Sequence, residues 1–414
     1  MVQFLDARGP SNDENVVRTK PQTIMKSLRL LMVVPRFWPH VGETEVFAGH
    51  LADELVTLGA LPTVLSSQWA PGWPASMVVR EVPVVRLQHA PRGGWSTLRY
   101  MIDLTRWLRK NRVRFDAVYV LSLRHEAYAT LLALSHLQIP IVLRCQEPGP
   151  HGDCAWQSIS RFGDRLRARC RSADAIVTPS ATVAAELEQG GYNRQRIQII
   201  SGGAKVGEER TADHRFRARN YLAEVNQGLA TAEYSPVVVW VGKLSDMAVF
   251  LPLLKAWRDI AARWPSARLW LIGDGPARSE LYAQIIDWEL QYQVLMPGTF
   301  EDLGDVLLAA DAYVAPDPSA GNQLVIEAMS AGLPVIAAES PDIHAKIKHG
   351  DGGFIVPSHD HAAWVAALSL LCDNPTSANK MGRAAQDTVR QKFSSTRMAQ
   401  QHLKLFQTLM GEKG

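Results

Sequence analysis

Short apolar runs rich in β-branched residues alternate along the chain with segments of helical periodicity. In the first of these segments, apolar residues such as Phe47, Leu51 and Leu55 recur at helical spacing. This alternation is typical of a doubly wound parallel sheet with helices on both faces. In the first half the apolar runs predict strands at residues 28–35, 62–67, 79–87, 117–122, 140–144, 175–179 and 197–201.

The polar segment 207–235 interrupts the alternation, and a second cycle of the same kind follows it. We therefore predict an α/β protein of two Rossmann-like domains that face one cleft. The first covers residues 27–206 and the second 207–394. The apolar stripe of a last helix at 395–410 needs a surface to cover, so this helix is expected to pack back on the first domain. The second cycle predicts strands at 237–241, 268–272, 293–296, 312–314, 334–338 and 354–357.

Composition narrows the class of protein. The net charge of +3 is not the strongly basic balance of a nucleic-acid-binding domain, so no nucleic acid partner is expected. The four cysteines have neither a metal-ligand spacing nor the density of a disulfide-rich secreted domain. No apolar run approaches the roughly 20 residues that cross a bilayer. These features favour a cytoplasmic protein with reduced thiols. The polar, aperiodic start of the chain predicts a disordered tail at residues 1–26 or, alternatively, sequence upstream of a true start at Met25.

Two basic stretches of the first domain, 106–114 and 161–171, carry Trp or Leu beside their arginines. Most runs of this kind are solvated helix faces. Basic helices with an apolar side also bind anionic membrane surfaces, and peripheral contact with the membrane is the alternative for this chain.

Candidate chemistry lies where strands end, because ligands of open α/β sheets bind outside the carboxyl ends of the strands. A turn containing Gly42 follows the first strand, and Lys243 follows the strand at 237–241. Taken alone, each position also fits an ordinary turn or a solvated charge.

The segment 316–335 is more informative. A flexible loop with Asp317 leads into a helix that Asn322 can cap, and the first backbone N–H groups of such a helix attract an anion. Glu327 lies about one turn further on, in an otherwise apolar helix. A carboxylate there needs a partner, which is either a ribose with two hydroxyl groups or a buried arginine.

The order and spacing of several segments resemble the retaining family 4 glycosyltransferases, which have the GT-B fold. The resemblance spans about residues 27 to 410. It implies transfer of a sugar from a nucleotide diphosphate sugar to a sugar or lipid-linked acceptor, without metal or other cofactor. The segments that carry it are 241–244, 271–276, 297–298, 310–311, 327–335 and 352–357, with looser matches at 39–45, 173–180 and 199–203.

The resemblance also assigns roles within the donor site. Glu327 holds the donor ribose, Lys243 neutralises the diphosphate, and the backbone at Asn322, Gln323 and Leu324 contacts sugar and phosphates. Gly42 belongs to the loop that faces the phosphates. On the acceptor side the candidates are Gln146, His151, Asp153 and His125.

Several departures from the family pattern leave a second hypothesis open. On the acceptor side, Gln146 replaces a histidine, and Gly202-Gly203 replaces the usual Asn-Gly after the seventh strand. Lys243 replaces the usual arginine, Ala248 replaces a second cation, Glu43 replaces the second glycine of the first loop, and Ser319 replaces a glutamate. A transferase then needs a substitute cation, and Lys205 is the first candidate, with Arg144 and Lys346 behind it. The alternatives are a non-catalytic sugar-nucleotide binder or partner subunit and, less favoured, a nucleotide-sugar epimerase.

Overall fold

Two parallel-strand sheets, one in each half of the chain, form the framework of the structure, which is a computed structural model. It describes residues 27–40, 42–145, 147–300, 302–319 and 323–413. The tail expected at 1–26 lies outside the described residues.

The first sheet has eight strands in the described part of the chain, in the order β3-β4-β2-β1-β5-β6-β7-β8. Every pairing is parallel except that of β3 with β4. The strands are β1 Arg29–Val33, β2 Leu61–Ser67, β3 Ser76–Val79, β4 Val82–Leu87, β5 Ala117–Val120, β6 Ile141–Arg144, β7 Ala175–Thr178 and β8 Ile197–Ile199.

The prediction of a single strand at residues 79–87 is wrong. The chain instead folds into the antiparallel hairpin of β3 and β4, joined at Arg80 and Glu81. Both joining residues have positive φ, 46° and 69°, which is the backbone of a tight two-residue hairpin turn. Neither is a glycine or asparagine, so the usual sequence signal for such a turn is missing.

The second sheet has six strands among the described residues, all parallel, in the order β11-β10-β9-β12-β13-β14. These strands are near-continuous apolar runs because helices cover both faces of the sheet. They are β9 Val237–Lys243, β10 Arg268–Asp274, β11 Val294–Gly298, β12 Ala312–Ala315, β13 Val335–Ala338 and β14 Gly353–Val356.

The helices pack on both faces of each sheet, and buried side chains form two apolar clusters per domain. The helices are α1 Glu43–Thr57, α2 Gly94–Asn111, α3 His125–Leu134, α4 Asp153–Ile159, α5 Gly163–Cys170, α6 Ala181–Gln189, α7 Ala212–Val225, α8 Met247–Arg263, α9 Arg278–Asp287, α10 Gly304–Ala309, α11 Gln323–Ser330, α12 Pro341–His344, α13 His361–Asp373, α14 Pro375–Lys392 and α15 Ser395–Lys413.

The last helix, α15, lies against the first domain. Met398, Phe406 and Leu409 are buried in the same cluster as residues of β1 and α1. At the start of the helix, the Ser395 hydroxyl donates to Glu54 of α1 at 2.7 Å. The chain therefore returns to the first domain after completing the second.

Among the described residues, no helix is both long enough and apolar enough to cross a lipid bilayer.

Candidate functional site

A cleft of about 620 Å³ separates the two domains. Residues of α1, the loop before it and the β3–β4 hairpin line one wall, and residues of α7, α10 and α11 line the other. The helix α1 follows β1 and α11 follows β12, and the two helices are in contact. The carboxyl ends of these two strands therefore feed the same cleft, as expected for a ligand site of open α/β sheets.

Glu327 lies on α11 and lines this cleft, with 13% of its side chain exposed. Its Oε1 accepts a hydrogen bond from Gln323 Nε2 at 2.6 Å and lies 3.0 Å from His50 Nε2 of α1. Burial alone lowers the pKa of His50, but Glu327 and then Asp53 raise it above its ordinary value. The partner of the buried carboxylate is thus a histidine of the opposite domain.

The N-terminus of α11 is already occupied by the carboxyl group of Glu43 from the other domain. The backbone N–H of Gln323 donates to Glu43 Oε2 at 2.6 Å, and that of Leu324 donates to Oε1 at 3.3 Å. Glu43 is the first residue of α1, directly after Gly42. Free N–H groups at a helix start attract negative charge, so this carboxylate occupies a ready-made anion site.

Glu43 sits in an acidic, desolvated setting. Burial raises its pKa to about 8, helped by Glu147 and Glu327 and opposed by the two N–H groups of α11. Burial likewise raises the pKa of Glu45, in the same helical turn, to about 7. Near neutral pH, Glu43 is therefore mostly protonated, which limits the charge it presents to a ligand.

Comparison with known proteins assigns the chain to a family. A family model described as glycosyl transferases group 1 matches residues 235–374, and one described as glycosyltransferase family 4 matches residues 44–207. The chain belongs to the family 4 glycosyltransferases.

Two proteins of similar sequence are also named as transferases. Sulfoquinovosyl transferase SQD2 of Arabidopsis thaliana is 26% identical over 67% of this chain and 53% of its own length. A D-inositol 3-phosphate glycosyltransferase of Nocardia farcinica is 32% identical over 51% of this chain and 48% of its own. The chain thus spans about half the length of these two relatives. Anabaena HepE, solved with UDP-glucose, has the same fold: the TM-score is 0.72 over 92% of this chain and 100% of that one, at 17% identity.

In this family member, Lys243 ends β9 and is exposed. It forms no ion pair within the residues that the structure describes. Ala248 is the second residue of α8, and its N–H donates to the capping Asp246 at 2.8 Å. The helix start that follows β9 therefore has a carboxylate cap and no cation at this position.

Lys205 and Arg144, two of the expected substitute cations, are engaged away from the α11 N-terminus. Lys205 Nζ lies 3.6 Å from Asp53 Oδ2, near His50 at the Glu327 end of the cleft. The guanidinium of Arg144 is buried, 3.6 Å from the ring centroid of Phe47.

Lys346 is the remaining candidate, and it lies near Glu43. Its Nζ donates to the Asp342 carbonyl at 3.1 Å. Burial lowers the pKa of Lys346, while the negative charges of Asp342 and Glu43 oppose that shift. Lys346, in the segment after α12, is therefore the candidate cation whose pKa responds to the charge of Glu43. Lys346 was ranked behind Lys205 because the sequence alone does not reveal which lysine folds towards α11.

The loop before α11 is stabilised from within. Asp317 Oδ1 accepts hydrogen bonds from the Ser319 N–H and hydroxyl at 2.8 and 2.7 Å. Asn322, expected to cap the helix, lies outside the described residues. Gln323 was expected to contact the donor through its backbone. Its side chain also joins the domains, because Nε2 donates to the Gly203 carbonyl at 3.0 Å.

The acceptor-side candidates gather near the carboxyl ends of β5 and β6. Asp153 is buried and accepts from the Leu123 N–H at 2.8 Å and from Arg124 Nε at 2.6 Å. His125 begins α3, and its ring stacks edge-on against Trp156 at 5.1 Å. Gln146 and the side chain of His151 lie outside the described residues. A direct contact between any of these residues and an acceptor stays a prediction.

Sequence reasoning missed His50 as the partner of Glu327. The available signal was its spacing: Glu43 and His50 are seven residues apart on α1, so they face the same side of that helix. No group of three or more His, Cys, Asp or Glu side chains suited to hold a metal ion occurs in the part of the chain that the structure describes.

Proposed function

We propose that this chain transfers a sugar from a nucleotide diphosphate sugar to an acceptor with retention of the anomeric configuration. The observation that carries the proposal is the anion site at the N-terminus of α11, which holds the Glu43 carboxyl group about one helical turn from the cleft-lining Glu327. A leaving diphosphate needs such preorganised positive potential at the moment it departs.

In this proposal the donor nucleoside lies at the Glu327 end of the cleft. Its ribose hydroxyls donate to the Glu327 carboxylate, which now pairs with His50 and Gln323. A carboxylate accepts two adjacent hydroxyl groups well because charge-assisted hydrogen bonds are the stronger ones. The cleft volume of about 620 Å³ suits a ligand of nucleotide-sugar size.

The diphosphate then takes the place of the Glu43 carboxylate against the N–H groups of Gln323 and Leu324. Lys346 supplies buried positive charge on one side, and the flexible, exposed Lys243 reaches the phosphates from the end of β9. Because neutralisation comes from side chains and a helix N-terminus, no metal or other cofactor is part of the proposal.

A titration series with UDP, ADP and GDP and their glucose conjugates tests this function. We expect at least one nucleotide to bind the full chain and raise its unfolding temperature, since a ligand of the folded state stabilises it by mass action. The matching nucleotide sugar should be turned over, at least by slow transfer to water. If no nucleotide binds, the cleft is not a donor site and the proposed function is wrong.

The Glu43 contact also favours a second candidate, a sugar-nucleotide binder without turnover. A carboxylate on the phosphate position and the absence of a cation at Ala248 both weaken the stabilisation of a leaving group. Nucleotide binding with no hydrolysis and no transfer across a broad set of acceptors would select this candidate over the transferase.

We also propose that the protein works in the cytoplasm, on the surface of an anionic membrane. Along α2, Trp95, Leu98 and Ile102 are exposed in one helical stripe that continues into Arg106 and Arg109. Such a face suits the interface of a bilayer. The full chain should float with vesicles that contain phosphatidylglycerol but not with neutral ones, and the Trp95→Ala, Ile102→Ala variant should lose most of that binding.

A further inference from the structure

Two loops of the first domain, after β1 and after β2, are held together by side-chain to backbone hydrogen bonds. Trp69 Nε1, in the loop after β2, donates to the Pro35 carbonyl in the loop after β1 at 2.9 Å. The buried Arg86 of β4 donates to the Trp38 carbonyl at 2.7 Å and to the Pro74 carbonyl at 2.8 Å. These side-chain to backbone bonds hold the loops in one arrangement before any ligand arrives.

Two guanidinium groups flank the indole of Trp69. The Arg36 guanidinium carbon lies 4.3 Å from its ring centroid, and that of Arg92 lies 5.8 Å away. Arg92 also donates to the Trp69 carbonyl. Both arginines are exposed, and neither forms an ion pair with a carboxylate in the described ranges of the chain.

The carboxylate whose charge reaches Arg36 is Glu45, and it neutralises that arginine only in part. Glu45 is half-buried, and desolvation raises its pKa to about 7, so a large fraction of it is uncharged at neutral pH. Two positive groups thus lie beside one aromatic ring without a full counter-charge. Cation–π contact stabilises each of them, and an anion bound between them would lower their mutual repulsion.

This cluster borders the cleft from the side of the first domain. Trp38 and His40, which follow Arg36 along the loop, line the cleft, and the His40 ring stacks edge-on against Trp73 at 5.0 Å. Burial and then the charge of Arg36 lower the pKa of His40. The cluster therefore adjoins the wall that the first domain contributes to the cleft.

We propose that the acceptor is an anionic sugar, with a phosphate or carboxylate held by Arg36 and Arg92 beside Trp69. This inference rests on the proposed function, because it names the acceptor of that transfer. Guanidinium forks bind both anions through paired hydrogen bonds.

Calorimetric titration of the full chain with glucose 6-phosphate, glucuronate and glucose tests the proposal. We expect at least one anionic sugar to bind about ten- to a hundredfold more tightly than glucose. Preference for glucose 6-phosphate assigns a phosphate, and preference for glucuronate assigns a carboxylate. Equal affinity for all three sugars, or no binding by either anionic one, overturns the proposal.

The Arg36→Gln, Arg92→Gln variant should lose that preference. The matched Arg258→Gln, Arg263→Gln variant on α8, whose two exposed guanidinium groups also lie beside tryptophan rings, should keep it. The single Arg36→Gln variant guards against misfolding, since no hydrogen bond by its side chain occurs among the described residues. Retained preference in these cleft variants contradicts the assignment.

UDP titration of the same proteins separates this inference from the donor site. The Arg36→Gln, Arg92→Gln variant should bind UDP as the parent chain does. If the sugar preference fails while UDP still binds, the acceptor class is wrong and the proposed function stands. If no nucleotide binds the parent chain, the proposed function fails whichever sugar is preferred.

Discussion

The contact between α1 and α11 holds a carboxyl group at each end, and the two groups are bound in different ways. At one end, Glu327 is half-buried and is shared between His50 and Gln323. At the other, Glu43 is also half-buried, accepts hydrogen bonds from the N-terminus of α11, and has a pKa raised to about 8. The first carboxylate is an acceptor that polar groups surround. The second is a mostly protonated carboxyl group at a helix N-terminus that favours negative charge.

This difference shows that residue type alone does not assign a role in the cleft. Glu327 is arranged to accept hydrogen bonds from a ligand, whereas Glu43 competes with the ligand for the same N–H donors. The resemblance to the family implies a glycine at position 43, which has no side chain to occupy those donors. Donor binding here therefore depends on how readily Glu43 leaves, and variants at each end should report on different parts of the nucleotide.

The largest effect is expected at the diphosphate. Lys243→Ala should reduce sugar transfer by about a hundredfold or more, because a cation that stabilises the departing charge contributes mostly in the transition state. Nucleotide affinity should change much less than turnover. Steady-state kinetics with a nucleotide sugar gives both values, and Lys255→Ala on the exposed face of α8 is the control. Full activity in the Lys243 variant would exclude it from the reaction.

At the other end of the cleft, Glu327→Ala should weaken nucleotide binding by about 1.5–3 kcal/mol, or roughly ten- to a hundredfold. The lost interaction is a charge-assisted hydrogen bond to the ribose. The control is Glu280→Ala, an exposed carboxylate of α9 in the same domain. A 2′,3′-dideoxy nucleotide should bind the parent chain and the Glu327 variant equally. If the variant still prefers the ribonucleotide, Glu327 does not hold the ribose.

The sequence predicts the fold and a functional role for Glu327, but it does not predict the contact of Glu43 with α11. Strand and helix periods are local, and they predicted the parallel sheets apart from the β3–β4 hairpin, whose turn residues Arg80 and Glu81 carry no turn signal. The contact of Glu43 with α11 joins residues about 280 positions apart, as the 2.6 Å bond to Gln323 N illustrates. Local patterns do not encode such a distance, so the choice among Lys205, Arg144 and Lys346 also required the structure.

Replacement of Glu43, which competes for the N–H groups of α11, should increase the affinity for UDP. Glu43→Gly restores the family pattern at this position and should tighten UDP binding by up to about tenfold, since the N–H groups of α11 become free for the phosphates. Isothermal titration gives the affinity. Glu45→Gln serves as the control, because Glu45 accepts no hydrogen bond from α11. Weaker binding in Glu43→Gly would mean that Glu43 helps to hold the donor.

The smallest and most diagnostic effect is the pH dependence of UDP binding. As pH rises through about 8, Glu43 loses its proton and becomes a stronger competitor for the α11 N–H groups. The charged or titratable groups that sense it are Glu147, Glu327, Tyr313 and Lys346. UDP affinity should fall about fourfold between pH 7 and pH 8.5, while its terminal phosphate, which titrates near pH 6, stays ionised.

The free energy of unfolding should also depend on the protonation of Glu43. The pKa of Glu43 is higher in the folded chain than its ordinary value of 4.5, so the folded state holds the proton more tightly. Its contribution to the free energy of unfolding is therefore complete below about pH 4.5 and is lost as pH rises through about 8. Glu43→Gln removes the titrating group, so both UDP affinity and the stability decline should become flatter over this range. An unchanged pH profile in that variant would assign the effect to Glu45, whose own Gln variant then should flatten it.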